Sequence, residues 1–289
     1  MCDTIDKLYF SAIIPTHLRA DLLSEAISSV AAQSMPPLEL IVVSDVDENT
    51  TRELVAALQP GIPFPLRYVV NRNEPGACGS RNLGAQLAVC DWLAFLDDDD
   101  LWRPEFLRRS AETALRDGAS LILTTLVERS PEREDRIRSF PEGLDQKSLF
   151  SVPGGMTGSN FAITRDRFLA AGGFDPKVRV FNDWDLLFRL IAADPAYAVV
   201  EEPLVEWRQH EGERIGSRSL KRAQGLEFFV DRYARYMPPE LIAELRATAA
   251  SIRRDLSGSW AGYFEHSLAI AKARGVTGVL KKKLGVARS

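Results

Sequence analysis

Four consecutive carboxylates, Asp97-Asp98-Asp99-Asp100, follow directly on the apolar run Trp92-Leu93-Ala94-Phe95-Leu96. Acids packed this closely repel one another unless a cation or solvent compensates. A hard divalent ion meets that need, because Mg²⁺ or Mn²⁺ takes one or two carboxylates together with phosphate oxygens. The cluster therefore suits a nucleoside diphosphate held through a metal. A solvated acidic loop is the competing reading, and the four acids alone do not choose between them.

The surrounding elements favour a ligand site. Trp92 to Leu96 reads as a parallel strand covered on both faces, and Pro104-Glu105 opens the next helix, so the acids sit at a strand's carboxyl end, where open α/β sheets bind ligands. Leu8 to Ile14 is a first strand ending at Pro15-Thr16, and Leu22, Leu23, Ala26, Ile27 and Val30 fall at helical spacing after it. Leu38 to Val43 and Leu66 to Val70 repeat the strand signal, with a helix over Thr50 to Leu58 between them. Asn71 to Gly84 leads through glycines into a helix ending near Val89, without the dinucleotide fingerprint or the phosphate-loop lysine. Strands alternating with helices predict a doubly wound, mainly parallel α/β sheet with helices on both faces. Farther on, Ala119 to Thr125 reads as a strand, Val127 to Gly158 as a long functional loop, Ser159 to Ile163 as a short strand, and Val199 to Trp207 as an edge strand pair broken by Pro203. Asn182-Asp183-Trp184-Asp185 opens a helix. After about residue 217 only helical periodicity remains, which predicts a C-terminal helical extension over 218–289.

Composition sets the outer bounds. The 289 residues, 45% hydrophobic and 26% charged, suffice for a large globular core. A net charge of −4 gives no general attraction to nucleic acid. Cys2, Cys78 and Cys90 have no paired zinc spacing and are too sparse for a disulfide framework, which fits a reducing compartment. Asp3 and Asp6 stand where a signal peptide needs basic and then apolar residues, and no window reaches the length of a membrane span, so a cytoplasmic protein is expected. The terminal segment carries Lys272, Arg274, Lys281, Lys282, Lys283 and Arg288 without acids, with Leu280, Leu284 and Val286 as apolar surface. Weak peripheral contact with an anionic membrane is expected there, against the plainer alternative of a solvated helix end.

Taken together, Ile13-Ile14-Pro15-Thr16, Val42-Val43-Ser44-Asp45, Gly79-Ser80-Arg81-Asn82-Leu83-Gly84, Phe95 to Trp102, Gly172-Gly173-Phe174-Asp175 and Asn182-Asp183-Trp184-Asp185 resemble, in order and spacing, the family 2 glycosyltransferases of the GT-A fold. The resemblance spans about residues 8 to 215. It implies a GT-A domain over 1–217, with a nucleotide-sugar half (1–103) and an acceptor half (104–217). The implied activity is metal-dependent, inverting transfer of a sugar from a UDP- or dTDP-sugar to an acceptor hydroxyl of a saccharide or lipid-linked glycan, with Mn²⁺ or Mg²⁺ as cofactor. Carried over by position, Thr16 and Asp45 lie around base and ribose, Arg81 near the nucleotide, and Pro15, Arg19 and Asp98 along the same nucleotide-sugar site. Asp97 and Asp99 form the Asp-x-Asp motif, with Asp97 toward ribose or waters and Asp99 on the metal. His210 falls beside the diphosphate or metal, and Asp183 at the catalytic base. The chemistry agrees: a carboxylate such as Asp45 accepts the imide proton of uracil or thymine, and Arg81 can fork onto phosphate oxygens.

Two departures stand out. Ser44 replaces the first of two acids that many relatives carry at the second strand's end, and Asn182 replaces the acid before Asp183, which leaves the base with a neutral neighbour. Two rivals remain. A nucleotidyltransferase making sugar nucleotides would want a glycine-rich basic loop after the first strand, and Pro15-Thr16-His17-Leu18-Arg19 has no glycine. A non-catalytic nucleotide-sugar or metal binding module has Asn182 as its sequence hint.

Overall fold

Strand and helix alternate from Phe10 to Leu87 because apolar runs too short for a helix are separated by amphipathic stretches long enough for one. The computed structural model describes residues 8–152, 155–209 and 218–283. In chain order they form β1 (Phe10–Thr16), α1 (Ala20–Ala31), β2 (Glu39–Ser44), α2 (Asn49–Leu58), β3 (Leu66–Val70), α3 (Ala77–Leu87), β4 (Trp92–Phe95), β5 (Leu101–Trp102) and α4 (Phe106–Asp117). There follow β6 (Leu121–Ser130), β7 (Arg133–Arg138), β8 (Phe161–Thr164), α5 (Arg165–Ala170), α6 (Asn182–Ala193), β9 (Ala198–Arg208), α7 (Leu220–Tyr233), α8 (Pro239–Asp255) and α9 (Trp260–Lys283).

All nine strands join one sheet in the order β3-β2-β1-β4-β8-β6-β9-β5, with β7 on β6. The first four strands run parallel, while β8 turns antiparallel to β4 and β6, and β6 pairs parallel with β9. One face buries Phe10, Ala12, Ile14, Leu40, Val42 and Ala94 against Leu23, Ile27 and Val30 of α1 and Phe106, Leu107 and Ala111 of α4. The opposite face stacks Phe95 on Phe161, ring centroids 5.0 Å apart, with Phe168 and Phe174 completing the cluster. These fully buried rings fix the strand end from which the acids emerge. Truncating one to alanine would cost about 3–5 kcal/mol.

Two expectations need correction. The stretch read as a loop from Val127 begins as regular structure: β6 continues to Ser130 and turns into β7. The sequence hides β7 because it is an edge strand of exposed charged residues, joined to β6 through ion pairs of Arg138 with Glu128 and Arg129 with Asp135. Charge of this kind protects a sheet edge while erasing the apolar alternation. The second correction is β9, which is one strand between β6 and β5, not a broken edge pair. Its register against β6 shifts between the Val200–Thr124 and Val205–Leu126 pairs, so Pro203 falls in the irregularity, where its missing N–H interrupts no ladder bond.

By internal contacts the chain divides into two compact units. The first comprises Met1–Asp145, Pro153–Pro176 and Asn182–Glu211 and contains the sheet. The second gathers Gln146–Val152, Lys177–Phe181 and Gly212–Ser289. Within it Phe229 and Tyr233 of α7 pack with Phe150, Phe181 lies 5.1 Å from Phe229, and α9 meets α8 through Ile270 with Ala247 and Ala250. Among the described residues no helix is long and apolar enough to cross a membrane.

Candidate active site

Parallel pairing brings the carboxyl ends of β1, β2 and β4 to one edge of the sheet: Thr16 stands beside Ser44, and Ile13 beside Phe95. Thr16 Oγ1 donates to Asp98 Oδ2 at 2.7 Å, and the His17 amide points at the same oxygen at 3.4 Å. Pro15 lies within β1 opposite Val43. Asp45, just past β2, accepts the Gly76 amide at 2.8 Å on Oδ2 and faces His17 Nδ1 at 2.6 Å on Oδ1. Ser44 is turned inward, with its hydroxyl donating to the Val46 carbonyl at 2.7 Å.

The four acids diverge in role although they are adjacent in sequence. Asp98 is buried under Thr16 and Arg19, and burial pushes its carboxyl up to about 6, with Asp99 and Asp97 adding to the rise while Thr16 and Arg19 oppose it. Arg19 Nη1 bridges Asp98 Oδ1 at 3.1 Å and Asp99 Oδ2 at 3.0 Å. Asp100 is fully buried, accepts from Ser159 Oγ and from the Arg208 amide at 3.0 Å, and is driven well above the usual carboxylate range by burial and by the charges of Asp99 and Asp97. Asp97, Asp99 and Asp100 can each bring an oxygen within 4.8 Å of the others. An all-carboxylate set of this kind fits a hard cation that keeps further positions for phosphate and water.

Arg81, on α3, is 4% exposed and donates from Nη2 to Asp97 Oδ1, with its guanidinium 4.9 Å from the Phe174 ring centre. Its Nε and Nη1 are buried and have no hydrogen-bond partner among the described residues. A cation so placed is costly without more acceptors, and an incoming anion would supply them. Gly158 closes on this pair: a Cβ there would stand 2.4 Å from Arg81 Nη2 and 2.7 Å from both Asp97 oxygens.

Asp183 lies in the first turn of α6 and accepts the Trp184 amide at 2.9 Å. Burial raises its carboxyl to about 6, the Asp97 charge adds to the rise, and the Trp184 amide and Arg81 restrain it. Asp185 does something else. It is fully buried and takes Nε and Nη2 of Arg189 at 3.0 and 2.7 Å, while the same guanidinium reaches the carbonyls of Ala171 and Gly173. Asn82, one residue beyond Arg81, holds the backbone of Phe174 from both sides, accepting from its N–H and donating to its C=O at 2.8 Å each. Gly173 passes this amide in a left-handed conformation (φ 64°), where a Cβ would lie 2.4 Å from Asn82 Oδ1.

Thr16, Arg19, Asp98 and Asp99 thus share one direct network, Asp97 and Arg81 form a separate pair that adjoins it through the Asp97–Asp99–Asp100 carboxylate set, and Asp45 lies at its edge beside Thr16, whose carbonyl accepts the Asp45 amide at 3.4 Å. Asp183 is coupled electrostatically to Asp97 and Arg81. His210 lies outside the described residues. Sequence reasoning did not single out Asp100, Ser159, Gly158 or Arg208. Asp100 was visible in the acidic run but indistinguishable from its neighbours, and the others meet the acids only through long-range folding. Backbone strain adds a signal invisible in sequence. Leu18 has a positive φ (52°) although it is not glycine, and it directly precedes Arg19. Such conformations collect where a site dictates the backbone.

A mixed sheet with an acidic strand end is the architecture of the GT-A fold, and solved structures share it. TarS of S. aureus, crystallised with UDP-GlcNAc, superposes with a TM-score of 0.66 at 16% identity over 93% of this chain and 80% of that one. A mannosyltransferase from Pyrobaculum calidifontis, in complex with GDP-Man and Mn²⁺, gives 0.60 at 18% identity over 98% and 89%. The succinoglycan biosynthesis protein ExoO of Rhizobium meliloti is 31% identical over 224 residues, 72% of this chain and 62% of that protein. The sequence model of glycosyl transferase family 2 matches residues 11–169, and the chain belongs to that family of glycosyltransferases.

Proposed function

We propose that this enzyme moves a sugar from a UDP- or dTDP-sugar to an acceptor hydroxyl with inversion at the anomeric carbon, using Mn²⁺ or Mg²⁺. The observation that carries the reading is the convergence of Asp97, Asp99 and Asp100 beside a buried guanidinium, two of whose nitrogens have no partner among the described residues. Asp99 and Asp97 would hold the ion, with the buried Asp100 behind them, and His210 is the further ligand the family pattern suggests. When bound, the ion supplies charge neutralisation for the departing diphosphate. Arg81 offers Nε and Nη1 to the same phosphate oxygens, a planar fork suited to them.

Asp45 takes the imide edge of the base, with Thr16 and Pro15 beneath the nucleoside and Asp98 holding Thr16 in place. Asp183 removes the acceptor proton. A carboxyl raised to about 6 remains ionised at neutral pH yet is more basic than an ordinary aspartate, a good compromise for a general base. The neutral Asn182 beside it leaves burial and Asp97, rather than an adjacent acid, to set this basicity. Saccharide and lipid-linked hydroxyls are the acceptor classes favoured by the family resemblance, with polysaccharide or glycolipid synthesis as the setting. The basic C-terminal segment would then bring the enzyme to an anionic membrane surface, a reading supported by the exposed Trp260, Phe264 and Leu268 on α9.

Calorimetric titration of Mn²⁺ with UDP tests the core of this reading. Asp99→Asn should weaken metal-dependent nucleotide binding while leaving the melting temperature near that of the parent, because the amide lacks the charge a hard cation requires. Unchanged metal dependence would refute it. Incubation with a panel of sugar nucleotides separates transfer or hydrolysis from binding alone.

A further inference from the structure

A single nitrogen, Nη1 of Arg19, lies within hydrogen-bond distance of two neighbouring carboxylates, 3.1 Å from Asp98 and 3.0 Å from Asp99. Asp98 also holds Thr16 Oγ1 and the His17 amide, so it keeps hydrogen bonds whatever the guanidinium does. Asp99 belongs to the carboxylate set that can converge on a cation, and Arg19 sits on its Oδ2. A divalent ion and a guanidinium on the same carboxylate repel each other as like charges.

Arg19 is fixed at its backbone and partly exposed along its side chain. Its backbone is anchored, with its carbonyl accepting the Leu23 amide at 2.9 Å just before α1, and with the left-handed Leu18 on its other side. The side chain is 28% exposed, so its ion pairs with Asp98 and Asp99 are partly screened. A diphosphate is the natural place for it to go, since phosphate oxygens accept the guanidinium fork better than divided carboxylates do.

We propose that Arg19 is the internal counter-ion of the acidic cluster: it occupies Asp99 until a diphosphate takes up the guanidinium, so that the divalent ion and the nucleotide bind as a pair. The inference rests on the metal-dependent reading above and assigns Arg19 a positioning role that nucleotide contact alone does not include. Ligand-free enzyme then resists metal uptake, and each ligand raises the affinity for the other by the same factor.

Mn²⁺ affinity of the full chain, read from the free-ion electron paramagnetic resonance signal at pH 8 with and without UDP, tests this. Arg19→Gln should bind Mn²⁺ alone about tenfold more tightly than the parent, and UDP should add less to its affinity than it adds to the parent's. Arg19→Lys, which keeps the charge, should follow the parent. Loss of a charge that stays on Asp99 whether or not nucleotide is bound would instead raise the affinity equally with and without UDP. If Arg19→Gln binds Mn²⁺ alone no more tightly than the parent, while the parent takes up Mn²⁺ and Asp99→Asn does not, this inference is overturned and the metal reading stands. If no chain takes up Mn²⁺ with or without UDP, both fall.

Discussion

Arg81 and Asp97 form a charge pair whose cation is buried more deeply than its anion, at 5% against 27% side-chain exposure. The pair is closed on one side by Gly158, which leaves no room for a Cβ. Gly158→Ala should fold, because the atoms it meets are the ends of side chains that can shift. That shift breaks the pair's geometry, so nucleotide affinity should fall about tenfold with the melting temperature within a few degrees of the parent. Titration with UDP and Mn²⁺, beside a thermal melt, measures both. Parental nucleotide affinity would show that the pair's geometry does not matter.

Asp183 and Asp185 should behave as opposites. Asp183→Asn keeps shape but cannot accept a proton, so transfer should slow by a factor on the order of 10² to 10⁴ with nucleotide affinity nearly unchanged. The parent's rate should fall as pH drops through about 6, where the carboxyl protonates. Because that folded-state value is raised, the buried charge lowers stability at high pH, and stability recovers as pH falls through 6 toward the unfolded value. Asp183→Asn should therefore melt higher than the parent at pH 8, by on the order of 1 kcal/mol, with the gap closing below pH 6. Asp185→Asn leaves Arg189 without its carboxylate and should destabilise the fold by about 3 kcal/mol. Near-parental transfer by Asp183→Asn would remove it as the base, and a product that retains anomeric configuration would reject the single-base mechanism.

The base-binding proposal turns on Asp45. Its carboxylate is engaged by Gly76 from one side and by His17 from the other, so a base must take the place of His17. An acceptor in that position suits the imide of uracil or thymine, and UDP or dTDP should outbind GDP at matched Mn²⁺. Asp45→Asn should erase that preference. Equal or stronger competition by GDP, the nucleotide carried by the Pyrobaculum calidifontis structure, would overturn the assignment.

Several of these relationships were legible in the sequence because they depend on local order. The β1, β2 and β4 ends carry Thr16, Asp45 and Asp97 within a few residues of an apolar run, so parallel pairing alone brings them together. The division of labour within the acidic run was not legible. Which of four adjacent acids turns inward depends on Ser159 and Arg208, which reach Asp100 from 59 and 108 positions away. Arg19 was expected against the nucleotide, and its contacts with Asp98 and Asp99 could not be read from spacing. β7 escaped notice because the charges that keep an edge strand soluble also remove the period-two signal.

The C-terminal segment supplies the last test. Trp260, Phe264 and Leu268 repeat at four-residue spacing on α9 and are 79%, 66% and 72% exposed, ahead of the basic stretch. Co-sedimentation with anionic vesicles should be measurable at low salt and lost at high salt, and Trp260→Ala with Phe264→Ala should weaken it at both. Absence of binding at low salt would remove the membrane contact.

Asn82 grips the backbone of Phe174 as a neighbouring strand would, and Arg189 draws the Ala171 and Gly173 carbonyls onto the helix that carries Asp183. The helix of Arg81 and the helix of Asp183 are thereby riveted to the same short turn. Under the proposed mechanism, the distance between the group that receives the acceptor's proton and the group that steadies the departing phosphate is a fixed gauge. Divergence in acceptor choice can then proceed in the surrounding segments without recalibrating the reaction, much as a tool keeps its jaw while its handle is exchanged.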